Sequence, residues 1–371
     1  MKKVFAIVLA MMLVISAAAM AETVKIGVFE PASGDSGAGG KQEMLGMQYA
    51  NKETPTVEIG GTTYDVELVY ADNGSSTDKA PSAAQQLVSE GVSVVLGSYG
   101  SGVSIAGSQY FADANIPAIG VTCTNPQVTA GNSHYFRVCF LDPFQGTVLA
   151  NYAFSELGND YDQGLLTYFK QAFEGLGGTA IVESFPTNTA DFTSYLTNAA
   201  AYSADVFFCP VSIAYSTQIV QQAASQGATF PILGSDTLDS NVVAEAAKGT
   251  NVAVIITTFY QEGATPAFDE GFKAWLNEDS EAMTNNGGND MISAVSAMGY
   301  DAYYTALEAL KAAGSTDAAA VKAALPSVTL TGVSGAIAFD ETGDAIRDAA
   351  FIKKINNETG DWEFVTEQTV E

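Results

Sequence analysis

A strand–loop–helix–strand pattern in residues 91–126 constrains the fold more than any other part of this sequence. A short apolar run ends at Leu96, a loop of glycine and serine follows, and a helical pattern begins near Ser101. A second apolar run, IPAIG, ends in the polar loop 122–126. This order is typical of a βαβ unit with parallel strands. Because ligands of open α/β sheets bind beyond the carboxyl ends of the strands, we expect a site at these two loops.

The start of the predicted helix suggests what this site binds. Ser101 occupies the expected N-cap position, which favours serine. A helix N-terminus presents free N–H groups and a partial positive charge, so it attracts an anion, and a carboxylate is the simplest candidate. The stretch is therefore predicted to be half of a site for a small anionic or zwitterionic molecule. Taken alone, ordinary capping and turn chemistry is the more common explanation of the same residues.

The first 21 residues have the pattern of a secretory signal peptide. Lys2 and Lys3 precede an apolar segment at 4–18, and Ala19-Met20-Ala21 is an A-x-A cleavage site. We therefore expect residues 1–21 to be removed and the protein to lie in the periplasm or extracytoplasmic space. The remainder of the 371 residues exceeds the ~250–300 residues that one core usually supports, so two lobes are expected.

The charge of the chain excludes several classes of partner. The formal net charge is −27, and nucleic acids and anionic membranes are bound by basic surfaces. Neither is expected as a partner, and self-repulsion favours a soluble monomer. The odd cysteine count leaves two interpretations open, a disulfide between Cys123 and Cys139 or buried free thiols. With one histidine and no C-x-x-C spacing, no structural metal is expected.

The glycine-rich loop after the first predicted strand does not have the spacing of a nucleotide site. Gly40-Lys41 is followed by Gln42, and Asp35 stands where a P-loop has its first glycine. The G-x-G-x-x-G fingerprint fails as well. We expect no cofactor, and we interpret the loop as a close approach of backbone to a ligand.

The rest of the chain alternates between predicted strands and helices, which indicates an α/β protein with two doubly wound parallel-sheet lobes. The lobe boundaries are predicted at 22–142 plus 260–345 and at 143–259 plus 346–371, with strands that include 179–184. The alternation fails once, because helices at 144–157 and 162–176 follow each other without a strand between them.

Five segments in order resemble the type I periplasmic binding proteins, in particular the branched-chain amino-acid-binding subgroup of ABC importers. They are GSYGSGVSIA, IPAIGVTCTNPQVT, YFRVCFLDPFQG, DYDQGL and ILGSDTLDS. The resemblance covers nearly all of residues 22–371. It implies two lobes joined by three hinge crossings, a ligand between the lobes, closure on that ligand and a permease as partner. The expected ligand is an amino acid, either branched-chain or another small aliphatic one.

The resemblance also implies roles for individual residues. Ser101, after the loop that contains Tyr99 and Gly100, matches the serine that binds the ligand α-carboxylate. The loop after the next strand contributes a backbone carbonyl and a threonine, at positions that match Thr122, Cys123 and Thr124. Tyr161 matches a tyrosine that seals the cleft, with packing as the alternative. Asp236 matches the carboxylate that pairs with the ammonium group, with capping of the following helix as the alternative.

Three positions depart from the family pattern. Gly39 stands where the first loop has an aromatic residue, and Val211 or Ser212 stands where a second tyrosine is expected, so Tyr99 or Tyr215 is a candidate replacement. The family also places a central strand of the second lobe near Gly158, and this chain lacks an apolar run there. Loss of that strand is expected to expose neighbouring strand edges.

Two other functions compete with that of a transport receptor. An enzyme is not expected, because the lone His134 lies in a predicted loop and no G-x-S-x-G elbow surrounds a serine. A sensor of the same fold that detects an amide, urea or another small molecule remains the alternative. The sequence does not distinguish it from a transport receptor, because the two differ in the partner surface.

Overall fold

The computed structural model describes residues 22–156, 165–186, 188–347 and 349–369. The first of its two main sheets has six strands: β1 (Glu22–Val28), β2 (Thr56–Ile59), β3 (Thr62–Tyr70), β4 (Val94–Leu96), β5 (Ala118–Gly120) and β6 (Tyr135–Arg137). They lie in the order β2-β3-β1-β4-β5-β6, and only β2 runs antiparallel to its neighbour. The predicted parallel pair in 91–126 is β4 and β5.

The second sheet takes its strands from two later parts of the chain: β7 (Phe207–Phe208), β8 (Ile232–Gly234), β9 (Val254–Thr258), β12 (Ala349–Ile355) and β13 (Trp362–Thr369). Their order is β13-β12-β9-β8-β7, with β7 to β9 parallel and the other pairs antiparallel. A separate hairpin joins β10 (Leu330–Gly332) to β11 (Gly335–Ile337).

The helices connect these strands in chain order: α1 (Gly37–Glu53), α2 (Ala80–Glu90), α3 (Ser101–Asp113), α4 (Asp142–Glu156), α5 (Leu165–Gly175), α6 (Thr193–Ala201), α7 (Ile213–Gln226), α8 (Asn241–Ala247), α9 (Pro266–Glu278), α10 (Ser280–Asn285), α11 (Ala294–Ala313) and α12 (Ala318–Ala324). None of the helices within the described ranges combines the length and apolarity that a membrane span requires.

The predicted class of two doubly wound α/β lobes is confirmed. The chain passes from one sheet to the other three times, after β6, after β9 and before β12. The helices between the second and third crossings belong with the first sheet, since α11 packs along α1. The residue boundaries given above for the lobes remain predictions.

Two glycines allow α1 and α11 to pack closely. A Cβ at Gly46 would lie 1.9 Å from the carbonyl oxygen of Ser296, and one at Gly299 would lie 2.2 Å from that of Glu43. Backbone meets backbone at both places, so only glycine fits. This packing fixes α1, whose residues Gln42 and Glu43 are buried at the junction of the lobes.

The predicted strand at 179–184 is wrong. The structure assigns no strand to these residues, and Ile181 and Val182 are each 39% exposed. A strand needs a hydrogen-bonded neighbour as well as an apolar pattern. Among the described residues the sheet ends at the two-residue strand β7. The expected loss of a strand near Gly158 falls in 157–164, and the predicted signal peptide in 1–21, both outside the described residues.

Candidate functional site

Loops at the carboxyl ends of β4 and β5 in the first lobe and of β8 in the second lobe meet at the junction of the lobes. The hydroxyl of Tyr99, after β4, donates to the carbonyl oxygen of Thr237, after β8, at 3.4 Å. Tyr99 is 7% exposed. This contact brings the loop that precedes Ser101 next to the loop that contains Asp236, in agreement with the strand-end rule for α/β sheets.

The position of Tyr99 depends on Gly39. A Cβ at Gly39 would lie 2.4 Å from Cε2 of the Tyr99 ring, so the ring occupies the space beside the glycine. Of the two tyrosines that could replace the missing aromatic residue, Tyr99 therefore lies at the first glycine-rich loop. Tyr215 lies elsewhere in the second lobe, where its ring packs against Phe185 and Phe192.

Ser101 is the first residue of α3, and Gly100 is its N-cap, so the predicted N-cap position of Ser101 is wrong by one residue. The extended backbone of Gly100 (φ −94°, ψ 122°) ends the loop without a side-chain cap. The Oγ atom of Ser101 accepts a hydrogen bond from the N–H of Asn125 at 3.2 Å. This bond joins the start of α3 to the loop after β5, and it leaves the hydroxyl proton of Ser101 free to be donated.

The loop after β5 is held by partners within the first lobe. The hydroxyl of Thr122 donates to the carboxyl of Glu43. The carbonyl of Cys123 accepts from Nη1 of Arg137 at 2.7 Å, and the carbonyl of Thr124 accepts from the N–H of Asp142 at 3.0 Å. The proton of the Thr122 hydroxyl is thus already donated within the protein, so Thr122 can offer a ligand only its oxygen.

All three cysteines are buried free thiols, which decides the question that the sequence left open. Burial raises the pKa of Cys123 to about 11. The thiol therefore stays protonated and unreactive at neutral pH.

Asp236 begins a short 3₁₀ turn (Asp236–Leu238) directly after β8 and is 3% exposed. Its N–H donates to Oε1 of Gln145 at 2.9 Å. The helix that follows is capped by Ser240, whose Oγ accepts from the N–H of Val242, so Asp236 is not its cap. Burial raises the pKa of Asp236 to about 7, with Gln145 opposing and Asp142 reinforcing the shift. No salt bridge within the described residues involves Asp236.

Two buried glutamates beside this site were missed by sequence reasoning. Burial and the neighbouring Glu43 raise the pKa of Glu30 well above its usual range, and burial raises the pKa of Glu43 to about 7. The two carboxyls lie close enough that each shifts the pKa of the other. Glu30 also accepts from the N–H of Tyr99 at 2.7 Å. The position of Glu30 directly after β1 was a signal that sequence reasoning could have used. Glu43 lies in the middle of a helix, where the sequence gives no such signal.

Taken together, the structure groups Tyr99, Gly100, Ser101 and the loop 122–124 in the first lobe and sets the loop of Asp236 against them from the second. Tyr161 lies outside the described residues. No cluster of potential metal ligands occurs in the ranges that the structure describes.

A family comparison identifies this architecture. The family model described as periplasmic binding protein matches residues 23–360. The chain belongs to this family. A relative, the Leu/Ile/Val-binding protein homolog 1 of Brucella abortus, is 28% identical over 342 residues, which cover 86% of this chain and 87% of the relative.

Solved structures agree with this membership. The leucine-binding protein LivK of Thermotoga maritima is 29% identical, with a TM-score of 0.80 over 94% of this chain and 99% of that one. A solute-binding protein of an ABC transporter from R. palustris, in complex with 4-hydroxybenzoate, has a TM-score of 0.79 at 19% identity, over 93% of this chain and 97% of that one. The second likeness shows the fold alone.

These findings establish the general role. The chain is a substrate-binding protein of the ABC-transporter type that binds a small molecule, and its family is non-enzymatic and extracytoplasmic. A permease partner is implied by the family.

Proposed function

We propose that this protein binds a branched-chain or other small aliphatic α-amino acid between its lobes and delivers it to the permease of an ABC importer. The observation that carries the proposal is the hydrogen bond from Tyr99 to Thr237. It brings a helix N-terminus with a free hydroxyl proton, at Ser101, close to a buried carboxyl, at Asp236. An α-amino acid carries a carboxylate and an ammonium group one carbon apart, and these two groups are complementary to the two sides of the cleft.

Each end of the ligand has a physical partner. The α-carboxylate accepts from the hydroxyl of Ser101 and from the first N–H groups of α3, where the helix dipole adds a favourable field. The α-ammonium pairs with Asp236, which otherwise has no cation partner among the described residues. A charge-assisted hydrogen bond of this kind is about twice as strong as a neutral one. The names of the Brucella and Thermotoga relatives support an aliphatic side chain.

The charge of the cleft disfavours a ligand that is only an anion. Asp236 and the carboxyl pair of Glu30 and Glu43 are all buried at the lobe junction. Closing the lobes on a benzoate-like ligand would bury a further negative charge without a counter-charge, which is costly. A zwitterion adds no net charge and supplies the ammonium group that the acids lack.

The test compares L-leucine with analogues that lack one end group. Thermal unfolding is measured with L-leucine, with leucinamide, which has no carboxylate, with 4-methylpentanoate, which has no ammonium, and with 4-hydroxybenzoate. Leucine at ~100 times its dissociation constant is expected to add about 2.7 kcal/mol of stability, and each analogue much less. Stabilisation by 4-hydroxybenzoate alone would overturn the proposal, as would an equal response to leucine and 4-methylpentanoate.

A further inference from the structure

We propose that Asn241 is the clamp by which the second lobe is fastened to the first in the closed, ligand-bound state. This inference rests on the proposed function, in which closure on an amino acid is the central step. Asn241 is the first residue of α8, which follows β8 of the second sheet, and it is 3% exposed. The cap that Ser240 provides for α8 fixes the backbone from which the Asn241 side chain projects.

Within the described part of the chain, the hydrogen-bond partners of the Asn241 side chain all belong to the first lobe. Its Oδ1 accepts from Nε2 of Gln42 on α1 at 3.2 Å. Its Nδ2 donates to Oδ1 of Asn289 at 3.0 Å and to the carbonyl of Asn286. Both protons of the amide and one acceptor site are therefore used across the junction. Such matched polar contacts are favourable when buried, and an unmatched one is costly.

The partners form a socket that the first lobe builds by itself. We call residues 285–291 the asparagine loop; it follows α10, which packs against α1. The side chain of Asn286 donates to the carbonyls of Asn289 and Met291 at 2.8 and 2.9 Å. The N–H of Met291 donates to Oδ1 of Asn289 at 3.1 Å, which orients that oxygen as an acceptor.

A glycine in the asparagine loop makes room for the clamp. Gly287 has a φ of +82°, and a Cβ there would lie 2.6 Å from Oδ1 of Asn241. The left-handed backbone and the close approach both favour glycine. The loop is thus shaped to receive the Asn241 amide.

The decisive variant is Asn241→Asp, which keeps the size of the side chain and the acceptor for Gln42 but replaces both donated bonds with a carboxylate facing two acceptors. Asn285→Asp is the matched control: it introduces the same charge at the first residue of the asparagine loop, and no hydrogen bond from Asn285 to the second lobe is present among the described residues. Both rates of L-leucine exchange are measured by stopped-flow fluorescence. Trp362 is a suitable reporter, because its Nε1 donates to the carbonyl of Ser240 at 3.4 Å.

Because the clamp acts after the lobes close, its loss should change the release rate. Dissociation of leucine from the Asn241→Asp variant is expected to be about tenfold or more faster, with little change in association. The leucine-saturated variant should also have a larger radius of gyration in small-angle scattering, and Asn285→Asp should behave like the wild type. An unchanged dissociation rate and scattering profile for Asn241→Asp would overturn the clamp.

Two further variants separate the clamp from folding and from the choice of ligand. Gly287→Ala obstructs the socket without changing any residue of the second lobe. It should therefore also speed the release of leucine, even if Asn241→Asp folds poorly. A Gln42→Cys/Asn241→Cys pair treated with a short bis-maleimide tests the contact without any ligand. If wild-type protein fails to bind leucine but the pair cross-links, the proposed function fails and the clamp stands. Binding of leucine without any cross-linking contradicts the clamp alone.

Discussion

Among the described residues, the site loops of the first lobe extend from a six-stranded sheet, whereas the second lobe presents Asp236 from a five-stranded sheet that ends at the two-residue strand β7. The loop after β4 is fastened by Asn73, which donates to Oγ of Ser98 at 3.0 Å, and by the hydroxyl of Tyr135, which donates to the carbonyl of Gly97 at 2.6 Å. In the second lobe, Tyr202 at the end of α6 is 56% exposed.

The two lobes also differ in the kind of contact that each makes with the proposed ligand. Binding a carboxylate through a hydroxyl and helix N–H groups requires several donors in alignment, because hydrogen bonds weaken steeply with angle. Attraction between a carboxylate and an ammonium depends mainly on distance. In the proposed site the first lobe supplies the directional contacts, and the second lobe supplies one charge.

The largest expected change in stability comes from replacing a buried arginine that holds the site loops of the first lobe. Arg137 is fully buried, pairs with Asp344, and donates to the carbonyls of Cys123 and Asn125, each at 2.7 Å. Replacing it in Arg137→Met leaves Asp344 without its buried cation and should lower the free energy of unfolding by about 3–5 kcal/mol. Urea denaturation measures this change. Lys25→Met, which breaks the exposed pair with Glu90, is the control and should cost at most about 1 kcal/mol.

A smaller effect compares the two halves of the site directly. Asp236→Asn should weaken leucine binding by about 1.5–3 kcal/mol, because it removes a hydrogen bond to a charged group. Ser101→Ala should cost about 1 kcal/mol, since the N–H groups of α3 still bind the carboxylate. Titration calorimetry with both variants checks the order. Equal affinities for wild type and both variants would refute the assignment of the site.

The pH dependence of leucine binding tests the contribution of Asp236, in the second lobe, by itself. With a pKa of about 7, Asp236 is largely protonated at about pH 5.5 and ionised at about pH 8, while an α-ammonium keeps its charge throughout. Leucine affinity is therefore expected to rise about tenfold over this range, and Asp236→Asn should flatten the rise. A wild-type affinity that is constant or falls with pH would contradict the pairing of Asp236 with the ammonium.

The stability of the ligand-free protein should change with pH in the opposite direction. A carboxyl whose pKa is raised from 3.8 to about 7 on folding binds more protons when folded than when unfolded. Its contribution to stability is therefore lost as the pH rises between those values. Urea midpoints of the wild type and of Asp236→Asn over this range measure the difference.

The smallest expected change in stability comes from replacing an exposed side chain of the second lobe. Tyr202→Ser should change the free energy of unfolding by no more than about 0.5 kcal/mol, because an exposed side chain loses little on truncation. Thermal unfolding checks this value. A loss of about 2 kcal/mol or more, comparable with that of a buried aromatic side chain, would show that Tyr202 is buried in solution. It would also remove the contrast between the two lobes at this position.

Much of the fold was predictable because it depends on local pattern. Apolar runs at β4 and β5 with a small-residue loop between them define a βαβ unit, and its parallel pairing follows from the chirality and length of the connection. The same reasoning pointed to Ser101, because strand ends in a doubly wound sheet meet at one edge. The candidates Tyr99 and Asp236 came from the resemblance to the family, and their roles stay predictions. Reasoning from local pattern failed at 179–184, where the apolar alternation was present but no strand of the described residues pairs with the segment.

By itself, the sequence determined the α/β class, the two lobes and the loops that face the cleft, since these follow from periodicity and from the size of a core. Tertiary structure alone decided that the Thr122 hydroxyl donates to Glu43, that burial and Glu43 raise the pKa of Glu30, and that Asn241 enters the asparagine loop. Gln42 and Asn241 are 199 positions apart. This contact depends on the packing of α1, α10 and α8. No local sequence pattern predicts which distant polar groups become hydrogen-bond partners in a site from which water is excluded.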